Sequence, residues 1–259
     1  MIRALALDAF KLALRAPLLW LLALLAGETG LAVILFPPQS LNLPGPSPTL
    51  PALALPLALS LLALLLMLWL FSVLAFNALI LAIASAADHL PLHAPWAAAR
   101  PHFWPVLTLR FFYLLALAGL FWLLTANAAS PWAWLASALL SALAGLLLNL
   151  STRAILLDPH PLSALRALLG QPWPLFKVWI GSQVLSMLTL LSFLLMILVL
   201  EVITLIVFYA FGSHLEDPYY GLLLVVLGVF VAIPTFFFVA VAGAFINSYW
   251  TLAYLRLRP

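Results

Sequence analysis

Two glutamates stand inside long apolar segments, where an ionisable side chain can bind a proton or a cation. Glu28 lies in Gly27-Glu28-Thr29-Gly30, within the first apolar segment, and Glu201 lies within the fifth. A charge at the centre of a bilayer costs roughly 2.5–3.5 kcal/mol on insertion scales, so such a group must face protein or water, or be protonated. Both residues are therefore candidates for an intramembrane polar site.

Each glutamate has a second interpretation that leaves it near the outer surface. If the glycines end the first helix early, Glu28 reaches the outer interface. Glu201 reaches the outer surface if its helix starts at Leu175, and it is buried if the first turns of that helix lie in the interface. We favour the surface positions. No Lys or Arg lies at a matching depth to neutralise Glu28, and burial raises the pKa of a lone carboxyl, which keeps it neutral.

Three asparagines occupy similar places, near one end of the second, fourth and sixth apolar segments: Asn77, Asn149 and Asn247. Amide side chains inside a membrane usually bond across helices, at about 0.6 kcal/mol each. We interpret these residues as helix-packing groups rather than as ligands.

The sequence contains no catalytic or cofactor motif. With no cysteine, it has no disulfide, zinc-thiolate or iron–sulfur site. All five histidines fall in predicted connections, away from the mid-membrane position of a haem ligand. His89 and His93 have a spacing that suits two metal ligands, but Pro91 intervenes and no third ligand follows. Ser213–Asp217 contains the residue types of a catalytic triad, but adjacent residues cannot adopt its geometry. We expect no catalytic, metal-binding or cofactor-binding residues, and no cofactor.

Composition places the chain in a membrane. Apolar residues make up 67% and charged residues 7% of the 259 residues, against about 45–50% and about 25% in soluble domains. Lipid must therefore be the solvent for much of the surface. The net charge is only +3, so the basic residues are topology signals and a nucleic-acid partner is not expected.

Six segments are long and apolar enough to span a bilayer. The predicted spans are Pro17–Phe36, Ala52–Ala87, Pro105–Thr125, Pro131–Leu157, Leu175–Phe211 and Tyr219–Tyr254. The first continues too far for a signal peptide, so we expect it to be a membrane helix. The second, fifth and sixth are longer than a bilayer needs and must tilt or project. All ten Lys and Arg residues fall on one side of this arrangement, which predicts both termini in the cytoplasm of a bacterial inner (plasma) membrane.

Two of the connections on the basic side share a pattern, D-x-x-P-L-x-A followed by W-P. It begins at Asp88 and again at Asp158, and the W-P pairs begin at Trp104 and Trp173. Leu162–Leu169 has the apolar spacing of a short amphipathic helix lying in the interface, and the residues before Pro17 have a similar pattern. We predict an all-α bundle of six transmembrane helices. It forms a single domain, 1–259, built from three hairpin repeats, 1–87, 88–157 and 158–259, each with an interfacial helix.

Some of these residues resemble a known type of protein. Thr152–Asp158, Ala164–Arg166 with Trp173, and Ser248–Leu257 are similar to bacterial six-helix proteins related to the membrane domain of glycerophosphodiester phosphodiesterases, and to its free-standing relatives of unknown function. The resemblance implies a fold and a membrane location. It implies no reaction, because the chain has no phosphodiesterase catalytic domain.

We therefore expect a non-enzymatic protein, an accessory or scaffolding subunit or a free-standing protein, with membrane lipids and other membrane proteins as partners. The alternative is a permease subunit of an ABC-type exporter, which six spans and an amphipathic N-terminal helix also suit. Such a permease docks its ATPase through a helix between spans two and three, and Pro91–Pro105 is proline-broken and apolar there. Transporters also need broken helices or paired ionisable groups near the midplane, and Pro234 is the clearest candidate break. An intramembrane enzyme is the weakest hypothesis.

Overall fold

The computed structural model describes residues 2–26, 51–87, 95–126, 131–211 and 219–258, and every regular element in these ranges is helical. The helices are α1 (Ile2–Arg15), α2 (Pro17–Ala26), α3 (Pro51–Ala87), α4 (Pro95–Ala99), α5 (Phe103–Ala126), α6 (Pro131–Leu157), α7 (Pro161–Leu169), α8 (Pro172–Phe211) and α9 (Tyr219–Leu257), with a 3₁₀ turn at Arg100–His102. The predicted all-α class is confirmed for this part of the chain.

Within the described ranges, five helices are long and apolar enough to cross a membrane, and the number is six if the bent pair α1–α2 counts as one span. The five fall on the predicted second to sixth spans. The predicted first span begins with α2, and its remainder lies outside the described residues. These apolar helices fit a multi-pass membrane protein.

Helix α1 lies across the end of the bundle, because it meets α2 at an angle of 97°. Its residues Leu5, Ala9 and Ala13 are buried against the bundle, as the spacing of one helical face requires. The indole N–H of Trp20 donates a hydrogen bond to the Ala13 carbonyl at 2.6 Å, which stabilises the bend between α1 and α2. An ion pair of 2.5 Å between Asp8 and Arg256 ties α1 to the end of α9. Helix α1 therefore belongs to the same end of the bundle as the last turn of α9.

Most buried side chains of the described residues lie toward one end of the bundle, which we call the basic end: the C-terminal ends of α3, α6 and α9 and the N-terminal end of α8, closed by α1. Three apolar clusters fill it. The buried segments are 73–84 in α3, 150–156 in α6, 175–182 in α8 and 239–254 in α9. Away from this end, the helices expose large apolar side chains such as Leu139, Leu191 and Val225. The tightly packed part of the protein is therefore the end near which the described Lys and Arg residues lie.

The two longest helices, α8 and α9, exceed the thickness of a bilayer. They contain 40 and 39 residues, which is about 60 Å at 1.5 Å per residue, against a hydrocarbon core of about 30 Å. They pair along their length, with Phe193 against Phe238 and Phe208 against Tyr220. Pro234, the candidate break in the sixth span, lies inside α9, which continues through it without interruption. A membrane helix tolerates proline where neighbouring groups satisfy the freed carbonyl.

Two short helices precede long ones on the basic side. Helix α7 lies where the sequence predicts an interfacial helix, with Leu168 buried while Leu162 and Arg166 are exposed. Helix α4 has only five residues and continues into the 3₁₀ turn. The internal repeat stays a prediction, since Asp88 and its neighbours 89–94 lie outside the described residues.

Gly181 of α8 marks the closest approach at the basic end. A Cβ at this position would lie 2.3 Å from the Tyr249 hydroxyl and 3.0 Å from Cγ2 of Ile2. The Tyr249 side chain is buried, and its hydroxyl donates a hydrogen bond to the Val178 carbonyl at 3.1 Å. Only glycine therefore lets α1, α8 and α9 meet here.

We expect Gly181→Ala to destabilise the protein by about 1–3 kcal/mol, the usual cost of overpacking, because the new methyl group must displace Tyr249. The measurement is the Tm of purified protein in detergent. Gly228→Ala is the matched control: nothing lies within 4 Å of a Cβ there, and alanine is the better helix former by about 1 kcal/mol. An equal Tm for both variants would contradict the close packing.

Candidate functional site

A buried arginine joins two helices at the basic end. Arg153 of α6 is fully buried, with 0% of its surface exposed. Its Nη1 donates to the carbonyl and to Oδ1 of Asn149 at 3.1 and 2.9 Å, and its Nη2 to the carbonyl and Oδ1 of Asn247 at 3.4 and 3.2 Å. Its Nε donates to the hydroxyl of Thr251 at 3.3 Å. We call Asn149, Arg153, Asn247 and Thr251 the Arg153 cluster.

Helical spacing accounts for this geometry. Asn149 and Arg153 are four residues apart on α6, and Asn247 and Thr251 are four apart on α9, so each pair lies on one face of its helix. Each asparagine amide donates to the carbonyl four residues earlier, of Gly145 at 2.9 Å and of Gly243 at 3.0 Å. This leaves both Oδ1 atoms to accept from the guanidinium, whose fork suits two acceptors at once.

The cluster is an interhelical link within the membrane-spanning part of the chain. A buried charge is tolerated only when its hydrogen bonds are made, and the bonds of Arg153 come from two helices that lie about a hundred residues apart in the sequence. Among the described residues, two asparagines and a threonine accept hydrogen bonds from the guanidinium. This geometry suits a fixed structural cation more than a group that moves or reacts.

A second set of polar contacts closes the basic end below the cluster. The Tyr254 hydroxyl donates to the carboxylate of Asp158, which follows α6. Arg258 lies 3.8 Å from the other oxygen of the same carboxylate. The end of α9 is thereby tied both to α6 and, through Arg256, to α1.

A cleft of about 270 Å³ adjoins the Arg153 cluster, between α6 and the α8–α9 pair. Asn149 and Asn247 form part of its wall, so the same amides contact Arg153 on one side and the cleft on the other. The residues that line it are uncharged, and they are polar, aromatic, aliphatic or small: Ala142, Gly145, Leu146, Asn149, Trp179, Ser182, Gln183, Ser186, Ile246, Asn247 and Trp250. The cleft can hold a polar group by hydrogen bonds.

Glu201 and Asn77 are not part of the Arg153 cluster. Glu28 falls outside the described residues. Glu201 is exposed on α8, in an open groove of about 570 Å³ that it shares with Thr204 and mostly apolar side chains. Asn77 is buried in α3, and neither of its amide atoms has a hydrogen-bond partner among the described residues. Of the four predicted site residues that the structure describes, it brings together Asn149 and Asn247, and Arg153 is the group between them.

Arg153 is the residue that sequence analysis interpreted only as a topology signal. Its spacing from Asn149 was a usable signal, because a cation four residues after an amide shares its helix face. The cleft residues Ser182, Gln183 and Ser186 also stand out as polar positions at the start of an otherwise apolar span. Two other membrane cations lie over aromatic rings: Arg110 is 4.1 Å from the centre of Phe76, and Lys177 is 5.1 Å from that of Trp173.

No protein-family model, curated protein or solved structure matches this chain. The functional argument therefore depends on the geometry of its own residues.

Proposed function

We propose that this chain is a non-enzymatic accessory or scaffolding subunit of a membrane complex, acting through its lipid-facing and partner-facing surfaces. The observation that carries the proposal is the contrast between its two ends. The basic end is packed around the Arg153 cluster, while the other end exposes large apolar side chains. Exposed apolar surface of this extent serves contact with lipid or with another membrane protein.

The pair α8–α9 offers the most favourable partner surface. Helix α8 is 13 residues longer than α6 (40 against 27), which is about 20 Å of extra helix. The end of this pair away from the basic end, which we call the tip, exposes Tyr209 at 73% and Leu222 at 62%. Apolar side chains that project past the bilayer are poorly solvated by water. A partner that covers them gains about 25 cal/mol for each Å² buried.

The proposed location is a bacterial inner membrane with both termini in the cytoplasm. The support for this orientation is the positive-inside rule, which all ten basic residues satisfy together. The exporter-permease alternative and other transporters require a polar route into the bundle. The Glu201 groove lies on the α8–α9 surface, and apart from Glu201, Thr204 and the Tyr209 hydroxyl its lining is apolar.

Extraction of the full chain in native-lipid nanodiscs tests the proposal. We expect a second membrane protein to accompany the 28.2 kDa chain in a fixed ratio, measured by quantitative mass spectrometry. Tyr209→Ala combined with Leu222→Ala removes apolar area from the tip and is expected to reduce partner recovery about tenfold, for a loss near 1.4 kcal/mol.

Trp132→Ala is the control, because Trp132 is equally exposed, at 76%, but lies on α6. Recovery of the chain alone would contradict the subunit proposal, and stoichiometric recovery of an ATPase would favour the permease.

Labelling of single cysteines gives an independent test against transport, since the native chain has no cysteine. We expect a membrane-impermeant maleimide to leave cysteines at Leu191 and Leu140 unmodified, because both positions face lipid within the predicted spans. A cysteine at Ser163, on α7, is the reactive control in inside-out vesicles. Rapid labelling at the two membrane positions would reveal a water-filled route and move the assignment to a transporter.

A further inference from the structure

The cleft beside the Arg153 cluster lies at the depth where lipid headgroups meet their chains. Gln183 follows Lys177 by six residues, which is about 9 Å along α8. The Lys177 ammonium lies over Trp173 near the start of that helix, and lysine at a helix end reaches the headgroup region. Trp179 and Trp250 line the cleft, and tryptophan favours the same interfacial zone.

The lining of the cleft presents hydrogen-bonding groups without charge. Gln183 is exposed on α8 and carries two donors and one acceptor. Ser182 donates to the Trp179 carbonyl at 2.7 Å, which leaves its oxygen free to accept. An amide that faces hydrocarbon is costly unless it is hydrogen-bonded. Hydroxyl groups both donate and accept, so a hydroxyl-rich ligand matches amides and serines better than an anion does.

The size and surroundings of the cleft fit one part of a lipid. Its volume of about 270 Å³ lies just below the range of about 300–1,000 Å³ for small-molecule sites. A headgroup fits, and a whole lipid does not. Leu143 and Leu147 of α6 and Val184 and Met187 of α8 are exposed close to the cleft in sequence, and they provide an apolar surface for acyl chains.

We propose that this cleft binds the hydroxyl-rich headgroup, glycerol or sugar, of a membrane lipid. Gln183, Ser182 and Ser186 hydrogen-bond its hydroxyls, and Trp179 and Trp250 contact its apolar faces. This lipid-binding site is separate from the proposed function as a subunit, because a complex with a partner protein can form whether or not a lipid occupies the cleft.

Native mass spectrometry of the purified full chain tests this site. The probes are phosphatidylglycerol and glucosyl diacylglycerol, compared with phosphatidic acid and phosphatidylcholine of identical chains. We expect both hydroxyl-bearing lipids to be retained preferentially. Gln183→Leu is expected to reduce that preference by about 2- to 12-fold, the range for one hydrogen bond. Ser192→Ala is the control and should leave the preference unchanged: Ser192 is exposed on the same helix and bonds the Leu188 carbonyl.

Three results would overturn the assignment. Phosphatidic acid retained as strongly as phosphatidylglycerol would show recognition of charge. If the Gln183→Leu and Ser192→Ala variants show the same preference for hydroxyl-bearing lipids, the lipid binds outside the cleft. Displacement of the lipid by free methyl glucoside at equal concentration would show that the site takes soluble polyols instead of lipids.

Discussion

Arg153→Met is expected to lower the free energy of unfolding by about 3–5 kcal/mol. Methionine keeps the length and apolar stem of the arginine but donates nothing, so Asn149, Asn247 and Thr251 lose the donor that the structure gives them. Each buried acceptor left without a partner costs about 1–3 kcal/mol. Three such acceptors, at the lower end of this range, give a loss of about 3–5 kcal/mol. The measurement is the Tm in detergent, expected to fall by about 6–20 °C.

Two further variants separate the hydrogen bonds from the volume of the side chain. Arg153→Lys keeps the charge but lacks the fork that reaches both asparagines, so an intermediate Tm is expected. The triple variant Arg153→Met, Asn149→Leu, Asn247→Leu removes the donor and both asparagine acceptors and leaves only Thr251 of the cluster. It should recover much of the loss, because apolar replacement of a buried polar network is often neutral. A triple variant less stable than Arg153→Met alone would show that the link between α6 and α9 does not depend on these bonds.

The helix boundaries were largely predictable from the sequence, because proline and apolar length determine them. The fourth span is Pro131–Leu157 in both the prediction and the structure, since proline is favoured in the first turn and Asp158-Pro159 stops the helix. The interfacial α1 was also predictable, because Leu5, Ala9 and Ala13 repeat at helical spacing and Pro17 follows. Local chemistry is sufficient for both features.

The candidate site depends on long-range packing, which the sequence does not display. A basic residue near the end of a span gives the same sequence pattern whether its side chain reaches the headgroups or is buried between helices. For Arg153, only the contact of α6 with Asn247 distinguishes the two positions. The three asparagines look equivalent in sequence, yet Arg153 donates to Asn149 and Asn247, while buried Asn77 has no hydrogen-bond partner among the described residues. Equivalent positions in a repeat pattern therefore need not have equivalent partners.

The orientation of the chain in the membrane gives the second prediction with a large effect, because each reporter fusion is expected to be either active or inactive. We expect periplasmic reporters fused at Ser47 or Ser213 to be active, and cytoplasmic reporters to be active at His93, Ser163 and Pro259. All except Ser163 lie outside the described residues. The physical reason is that all ten basic residues sit on one side of six spans, and cytoplasmic retention of Lys and Arg sets topology.

The packing of the first helix supports the same number of crossings. Asp8 pairs with Arg256 at 2.5 Å, so α1 lies at the basic end with the last turn of α9. Helix α3 ends in that region, where Ala82 and Ile83 share an apolar cluster with Ala13, and it therefore begins at the opposite end. With the bent pair α1–α2 counted as one span, the described helices give six spans, as the sequence predicts. Activity of a cytoplasmic reporter fused at Ser47 would contradict the predicted six-span arrangement.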